Sequence, residues 1–286
     1  MRTIELKNGK QLAYRDQGQG PVMLLVHGWG VSGDLFDDQV RGLSDRFRMV
    51  VPDLPGHGAS SEFPDDAEFS CLANAIAELI EKLQLEAVCL VGWSLGAMVS
   101  WDLLSRYKDL DISGLVTIDM VPRLLNDGDW LFGLREGLDH HAFDRDVEMI
   151  LDDWPAYTEL LAPRWLGQGA GEALPELLAR VKAAANTNQP RSMANIWKQL
   201  VEQDLSSELA NIQVPALVVM GGQSALYEVP AGEWIVRQMP IARLEVFPES
   251  GHAPNLDQPQ RFNKLLANFI SNQIAQSAAK HGNHRT

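Results

Sequence analysis

The sequence has few cysteines and no long apolar run, and both absences exclude classes of protein. Of the 286 residues only two are cysteine. Cys71 and Cys89 are too few for a disulfide framework, and they suggest no metal site. No apolar stretch reaches the length that spans a bilayer, and the first residues lack the apolar core of a signal peptide. We therefore expect a soluble cytoplasmic protein with no membrane partner.

Positive charge is also scarce. The chain has 24 Lys and Arg against 38 Asp and Glu, for a formal net charge of −14. Nucleic acids bind basic surfaces, so this balance argues against a nucleic-acid partner. Hydrophobic residues make up 45% of the chain and charged residues 22%, which is enough for a sizeable core and excludes global disorder.

The most informative motif is Gly92-Trp93-Ser94-Leu95-Gly96, which lies between two predicted elements. The apolar run Ala87–Leu90 predicts a buried strand before it, and Ala97–Leu104 predicts a helix after it. So tight a turn forces Ser94 into a strained backbone conformation and leaves no room for side chains at the flanking glycines. The turn lifts the Ser94 hydroxyl clear of the sheet. It also leaves the Leu95 N–H free at a helix start, where negative charge is stabilised.

Strands and helices alternate along the chain except in one segment. The apolar run Val22–Val26 predicts a buried parallel strand that ends in His27-Gly28-Trp29-Gly30, and Ala242–Phe247 predicts the last strand. From 121 to 206 the pattern is helical, broken by prolines and rich in tryptophan. We expect an α/β core (1–120 and 207–276) with an eight-stranded, mostly parallel, doubly wound sheet. We also expect a helical cap (121–206) and a flexible tail (277–286).

Three motifs in this order resemble the α/β-hydrolase superfamily, in particular its serine hydrolases with a helical cap. They are the His27–Gly30 turn, the Ser94 turn and Ser250-Gly251-His252-Ala253-Pro254. Within the superfamily they look most like the carboxylesterases that remove the methyl ester from a pimeloyl group on acyl carrier protein. The resemblance implies Ser94 as nucleophile, His252 as base, and the Trp29 and Leu95 N–H groups as oxyanion donors. Trp93 is expected to bind substrate, and neither a metal nor another cofactor is expected.

The catalytic acid departs from the superfamily pattern. In much of the superfamily it follows the strand equivalent to Ala216–Met220, where this chain has Ser224, and serine cannot carry the charge that steadies an imidazolium. Reacting groups gather at the carboxyl ends of adjacent parallel strands. Asp119, the first residue after strand Ile112–Ile118, is therefore the predicted acid. Glu228 is the alternative candidate for the acid, and a third possibility is that the triad has no acid. A purely structural interpretation of Asp119 is that it caps the start of the helical insertion.

These residues predict a serine hydrolase that cleaves a small or medium carboxylic ester or thioester through an acyl-Ser94 intermediate. An acyltransferase using the same intermediate is an alternative, as is a catalytically weak ligand-binding protein, which the missing acid at Ser224 would explain. An acyl carrier protein is the partner that the resemblance implies. Both carrier proteins and this cap are acidic, which weakens such docking. The sequence indicates no oligomeric state.

Overall fold

The protein is built on one eight-stranded sheet with the spatial order β1-β2-β4-β3-β5-β6-β7-β8. The computed structural model describes residues 1–135, 137, 140–166 and 174–282. The strands are β1 (Arg2–Glu5), β2 (Gln11–Gln17), β3 (Val22–Val26), β4 (Arg48–Pro52), β5 (Val88–Trp93), β6 (Ile112–Ile118), β7 (Ala216–Gly221) and β8 (Ala242–Phe247).

Helices connect the parallel strands and form the segment between β6 and β7. They are α1 (Asp37–Leu43), α2 (Ser70–Lys82), α3 (Leu95–Arg106), α4 (His140–Asp152), α5 (Trp154–Trp165), α6 (Pro175–Ala185), α7 (Pro190–Val201), α8 (Val229–Gln238), α9 (Pro254–Asp257) and α10 (Pro259–Gly282). In the described ranges, the 3-10 helices Gly33–Phe36 and Ser206–Asn211 precede α1 and β7, respectively. No helix among these described residues is long and apolar enough to cross a membrane.

The central strands are buried along their whole length. Every residue of β3, β5 and β7 is buried, as expected where helices cover both faces of a parallel sheet. The antiparallel pairs of this sheet are β1 with β2 and β2 with β4. The apolar runs that predicted these strands are thus explained by double-sided burial.

The strand register brings the candidate site residues to one edge of the sheet. Trp93, the last residue of β5, pairs with Ile118, the last residue of β6, and Ile118 in turn pairs with Val219 of β7. The residues that follow these strands therefore lie side by side, which is the arrangement on which the prediction of Asp119 depended.

The helical segment after β6 leaves and rejoins the sheet at one place. Arg123 and Asp204 form an isolated antiparallel bridge, and the Leu205 N–H donates to the Pro122 carbonyl at 3.0 Å. The ends of the predicted cap, 121–206, are therefore joined. Residues 136, 138–139 and 167–173 of that segment lie outside the described residues.

The C-terminal helix α10 extends into the segment that was expected to be a flexible tail. It runs from Pro259 to Gly282. The predicted flexible tail, 277–286, thus begins inside this helix, and 283–286 lie outside the described residues. Polar composition alone did not reveal that the helix continues.

Candidate active site

Ser94 occupies a strained turn between β5 and α3. Its backbone has φ 54° and ψ −120°, a conformation that costs a residue other than glycine about 1–3 kcal/mol. A Cβ on Gly92 would overlap the carbonyl of Gly96, and one on Gly96 would overlap the carbonyl of Val26 in β3. Both glycines are therefore required by close backbone approach, as the sequence predicts, and the half-buried Ser94 side chain projects from the edge of the sheet.

Asp119 and His252 form a buried pair at the same edge. His252 Nδ1 lies 2.7 Å from Asp119 Oδ2, and each residue is only 1% exposed. A carboxylate can only accept hydrogen bonds, so Nδ1 carries the proton and Nε2 is left as an acceptor. Asp119 has φ 45°, a second strained residue next to the first. The structure thus joins the predicted base to the predicted acid in the tautomer that base catalysis needs.

The Ser94 hydroxyl is not yet engaged with that pair. Within the described part of the chain, the only hydrogen-bond partner of the Ser94 hydroxyl is Met120 Sδ, at 4.0 Å. No hydrogen bond joins the hydroxyl to His252. Serine–histidine bonds of this kind often tighten only in the complex with substrate. The arrangement places nucleophile, base and acid at adjacent strand ends, with the serine–histidine bond still to form.

The two predicted oxyanion donors are free to bind a ligand. Among the described residues neither the Trp29 N–H nor the Leu95 N–H donates to a protein acceptor. Leu95 is the first residue of α3, where the helix dipole adds positive potential. These backbone groups can therefore donate to an oxygen that gains negative charge beside Ser94.

Two buried histidines hold the loop that carries Trp29. His57 Nε2 accepts from the Gly30 N–H at 3.1 Å, and His27 Nε2 accepts from the Leu54 N–H at 2.9 Å. Burial lowers the pKa of both imidazoles, that of His57 to well below its ordinary value. Both rings act as neutral acceptors.

The residues considered as alternative acids lie elsewhere or play another part. The Glu228 carboxylate is 59% exposed and pairs with Arg135 Nε at 3.4 Å. Ser224, in the position where a superfamily acid was expected, is buried and donates its hydroxyl to Asp119 Oδ2 at 2.6 Å. Ser224 therefore contacts the predicted acid. The sequence analysis noted only that Ser224 lacks a carboxylate and did not predict this hydrogen bond.

Trp93 does not line a substrate cavity, contrary to the sequence-based prediction. Its side chain is 1% exposed, and the indole N–H donates to the His252 carbonyl at 2.9 Å. Its ring lies 5.8 Å from the His252 ring, centroid to centroid. Trp93 thus supports the loop that carries His252.

A cavity of about 100 Å³ lies over Ser94. Its walls come mainly from the helical segment, from the loop after β7 and from Trp29. The lining residues are Trp29, Ser94, Leu124, Leu134, Asp146, Tyr157, Leu161, Arg164, Trp165, Trp197, Leu200, Leu226 and Tyr227. Most are apolar or aromatic, which suits an acyl chain.

A few polar side chains interrupt this apolar wall. Burial raises the pKa of Asp146, which lies beside the Tyr157 hydroxyl and near the charge of Arg164. Burial also raises the pKa of Tyr227, and the charge of Asp119 adds to that shift. No group of His, Cys, Asp or Glu in the described ranges is arranged to hold a metal ion.

The fold and this site define a known family. Residues 23–265 match the model of the alpha/beta hydrolase family, and the chain belongs to that family. Among solved structures, an esterase from Exiguobacterium antarcticum has a TM-score of 0.87 at 22% identity, covering 94% of this chain and 98% of that one. A thermophilic esterase from Thermogutta terrifontis has a TM-score of 0.83 at 25% identity, with 96% and 99% covered.

The names of the most similar curated proteins point to a particular kind of esterase within this family. The chain is 30% identical to the pimeloyl-[acyl-carrier protein] methyl ester esterase of Chromobacterium violaceum over 259 residues, 90% of this chain and 96% of that protein. It is also 30% identical to the protein of that name from Nitrosomonas europaea over 249 residues, 86% and 94% of the two chains. The predicted fold class, the predicted resemblance and the class of enzyme, a hydrolase acting on esters, are confirmed.

Proposed function

We propose that this protein hydrolyses short carboxylic esters, with Ser94 as nucleophile, His252 as base and Asp119 as acid. The observation that carries the proposal is the position of Ser94. It lines an apolar cavity at the sheet edge where Asp119 and His252 form their buried pair. Nucleophile, oriented base and acyl-sized space come together there.

The reaction is acyl transfer to water in two steps. His252 Nε2 takes the Ser94 proton as Oγ attacks the ester carbonyl, and the oxyanion is held by the N–H groups of Leu95 and Trp29, each worth roughly 3 kcal/mol. His252 then gives the proton to the departing alkoxide, which leaves as the alcohol. Water, deprotonated by His252, attacks the acyl-Ser94 carbonyl, and His252 returns that proton to Ser94 Oγ as the carboxylic acid is released. Asp119 stabilises the imidazolium in both steps.

The size of the cavity favours a short acyl group. Pockets for drug-sized ligands measure about 300–1,000 Å³, and in another protein an apolar cavity of about 150 Å³ holds benzene. On that scale a cavity of about 100 Å³ favours a short acyl group over a long one. We also propose that the segment 121–206 is the cap that sets this limit, since most of the lining residues belong to it.

A carrier-bound pimeloyl ester fits this cavity less well than a small free ester. The curated relatives are named for that substrate, and its acyl chain is longer than the short groups that a cavity of this size favours. Acyl carrier proteins are acidic, and acidic residues outnumber basic ones in 121–206, which opposes docking of a carrier protein. For this chain we therefore favour a small-molecule ester. The buried pair of Asp119 and His252 supports a catalytic function over a non-catalytic, ligand-binding one.

A chain-length series tests the proposal. Values of kcat/KM for p-nitrophenyl acetate, butyrate, hexanoate and octanoate should peak at acetate or butyrate, with Ser94→Ala as the inactive control. The methyl ester of pimeloyl-acyl carrier protein forms a further arm, and product analysis with added alcohol or thiol separates hydrolysis from acyl transfer. A peak at octanoate, or faster hydrolysis of the carrier-bound ester than of the butyrate, would refute the proposed substrate class.

A further inference from the structure

We infer that Ser224 is a positioning residue for the acid: it holds the Asp119 carboxylate toward His252 and ties it to the loop that lines the acyl cavity. The inference rests on the proposed function. It deepens that proposal by giving the residue in the expected acid position a part in the same site.

The hydrogen bonds of the Ser224 hydroxyl have only one consistent arrangement. Its Oγ lies 3.2 Å from the Leu226 N–H and 3.3 Å from the Tyr227 N–H, and both of these groups can only donate. A hydroxyl has one proton and two lone pairs. The proton must therefore point to Asp119 Oδ2, at 2.6 Å. With Ser224 only 1% exposed, water does not compete for it.

The Asp119 carboxylate is fixed by donors on both oxygens. Oδ2 accepts from Ser224 and from His252 Nδ1, while Oδ1 accepts from the Gly221 N–H at 2.8 Å. Asp119 itself has a left-handed backbone, a conformation that persists only when its surroundings hold it. Two of the three donors come from the end of β7 or the loop after it, so this loop sets the direction in which the carboxylate meets the imidazole.

The same hydroxyl connects the acid to the cavity wall. The Ser224 hydroxyl accepts hydrogen bonds from the N–H groups of Leu226 and Tyr227. Both of these residues line the cavity over Ser94. The Tyr227 ring lies 5.7 Å from the His252 ring, centroid to centroid. Removing the hydroxyl therefore frees one carboxylate oxygen from its second donor and leaves two loop N–H groups without their acceptor.

The geometry also makes the two residues exchangeable. An aspartate at 224 would extend one bond beyond the present Oγ, toward the space of Asp119 Oδ2, which is 2.6 Å away. From there it reaches the His252 Nδ1 that Oδ2 now contacts at 2.7 Å. A serine at 119 would leave that space open. The structure thus predicts that the acid can be supplied from either strand.

The first test removes the hydroxyl. Ser224→Ala should lower kcat for p-nitrophenyl butyrate about tenfold with little change in KM, as expected when a charge-assisted hydrogen bond to a buried carboxylate is lost. It should also shift the downfield proton NMR signal of the His252 Nδ1–H. Ser192→Ala is the matched control, because that buried serine accepts a single backbone N–H, from Phe63 at 3.2 Å, and touches no proposed catalytic group.

A Ser224→Ala enzyme with kcat within twofold of the wild type and an unmoved proton signal would overturn the inference. A second test exchanges the residues at 119 and 224, and it can refute the inference even if Ser224→Ala does not fold. Asp119→Ser combined with Ser224→Asp should turn over at least tenfold faster than Asp119→Ser alone, and a combined variant no better than that single one would also overturn it. Failure of the proposed function is distinct: the wild type would then hydrolyse none of the esters, while the NMR comparison remains measurable.

Discussion

Replacing Asp119 by asparagine tests the assignment of the acid while preserving shape. Oδ1 accepts the Gly221 N–H, so the asparagine oxygen is drawn to that side and its NH₂ faces His252. The imidazole must then accept at Nδ1 and carry its proton on Nε2, where it cannot take the proton of Ser94. The best-studied triad loses about 10⁴ in kcat from this wrong tautomer, which is about 5 kcal/mol at 1.36 kcal/mol per tenfold.

The assay is steady-state hydrolysis of p-nitrophenyl butyrate, with folding checked by circular dichroism and thermal unfolding. We expect kcat to fall by about 10⁴ while KM changes much less. Glu228→Gln is the control, because Glu228 pairs with Arg135 at the surface, and its turnover should match the wild type. Near-normal turnover in Asp119→Asn, together with loss of turnover in Glu228→Gln, would refute the reasoning and identify Glu228 as the acid.

Three further predictions follow from the site. Ser94→Ala should abolish turnover with the fold intact, and His252→Ala should cost about as much with little further loss in the double variant; additive losses would separate the two residues. Leu161→Ala, which enlarges the cavity, should move the chain-length preference toward longer esters, whereas Leu160→Ala, 63% exposed, should not; equal profiles contradict the role of the cavity. Burial lowers the pKa of His57 below its ordinary 6.5, so below about pH 6.5 the unfolded chain takes up the proton first and stability falls, by up to about 1.4 kcal/mol per pH unit. His57→Gln should weaken that fall in urea unfolding measured down to about pH 5, and an unchanged slope would contradict it.

The parts of this site that depend on strand order could be predicted from the sequence. The turn at Ser94 needs glycines at fixed positions because backbone atoms of β3 and α3 approach closely, so the motif itself predicts its geometry. Asp119 followed from a similar argument, since residues after adjacent parallel strands meet at one edge. The argument for the glycines uses only local sterics. The argument for Asp119 also used the resemblance to the α/β-hydrolases, which supplied the expected sheet order and the acid position where this chain has Ser224.

Features that depend on how loops and helices pack could not be predicted in this way. The bond from Ser224 to Asp119 requires the path of the loop after β7, which no periodicity encodes. Trp93 was expected to bind substrate, but its side chain is buried and its indole N–H donates to the His252 carbonyl, a contact that depends on the path of the loop after β8. The cavity size likewise depends on the packing of α4, α5 and α7.

The central claim, that Ser94 forms an acyl intermediate beside the Asp119–His252 pair, is tested most directly by intact-protein mass spectrometry. The protein is mixed with p-nitrophenyl butyrate and quenched in acid, and a second sample is treated with a fluorophosphonate. We predict one added acyl or phosphonyl mass per chain, located on the peptide that contains Ser94 and absent from Ser94→Ala. Ester turnover with no label on Ser94, or an equal label on Ser94→Ala, would contradict the account.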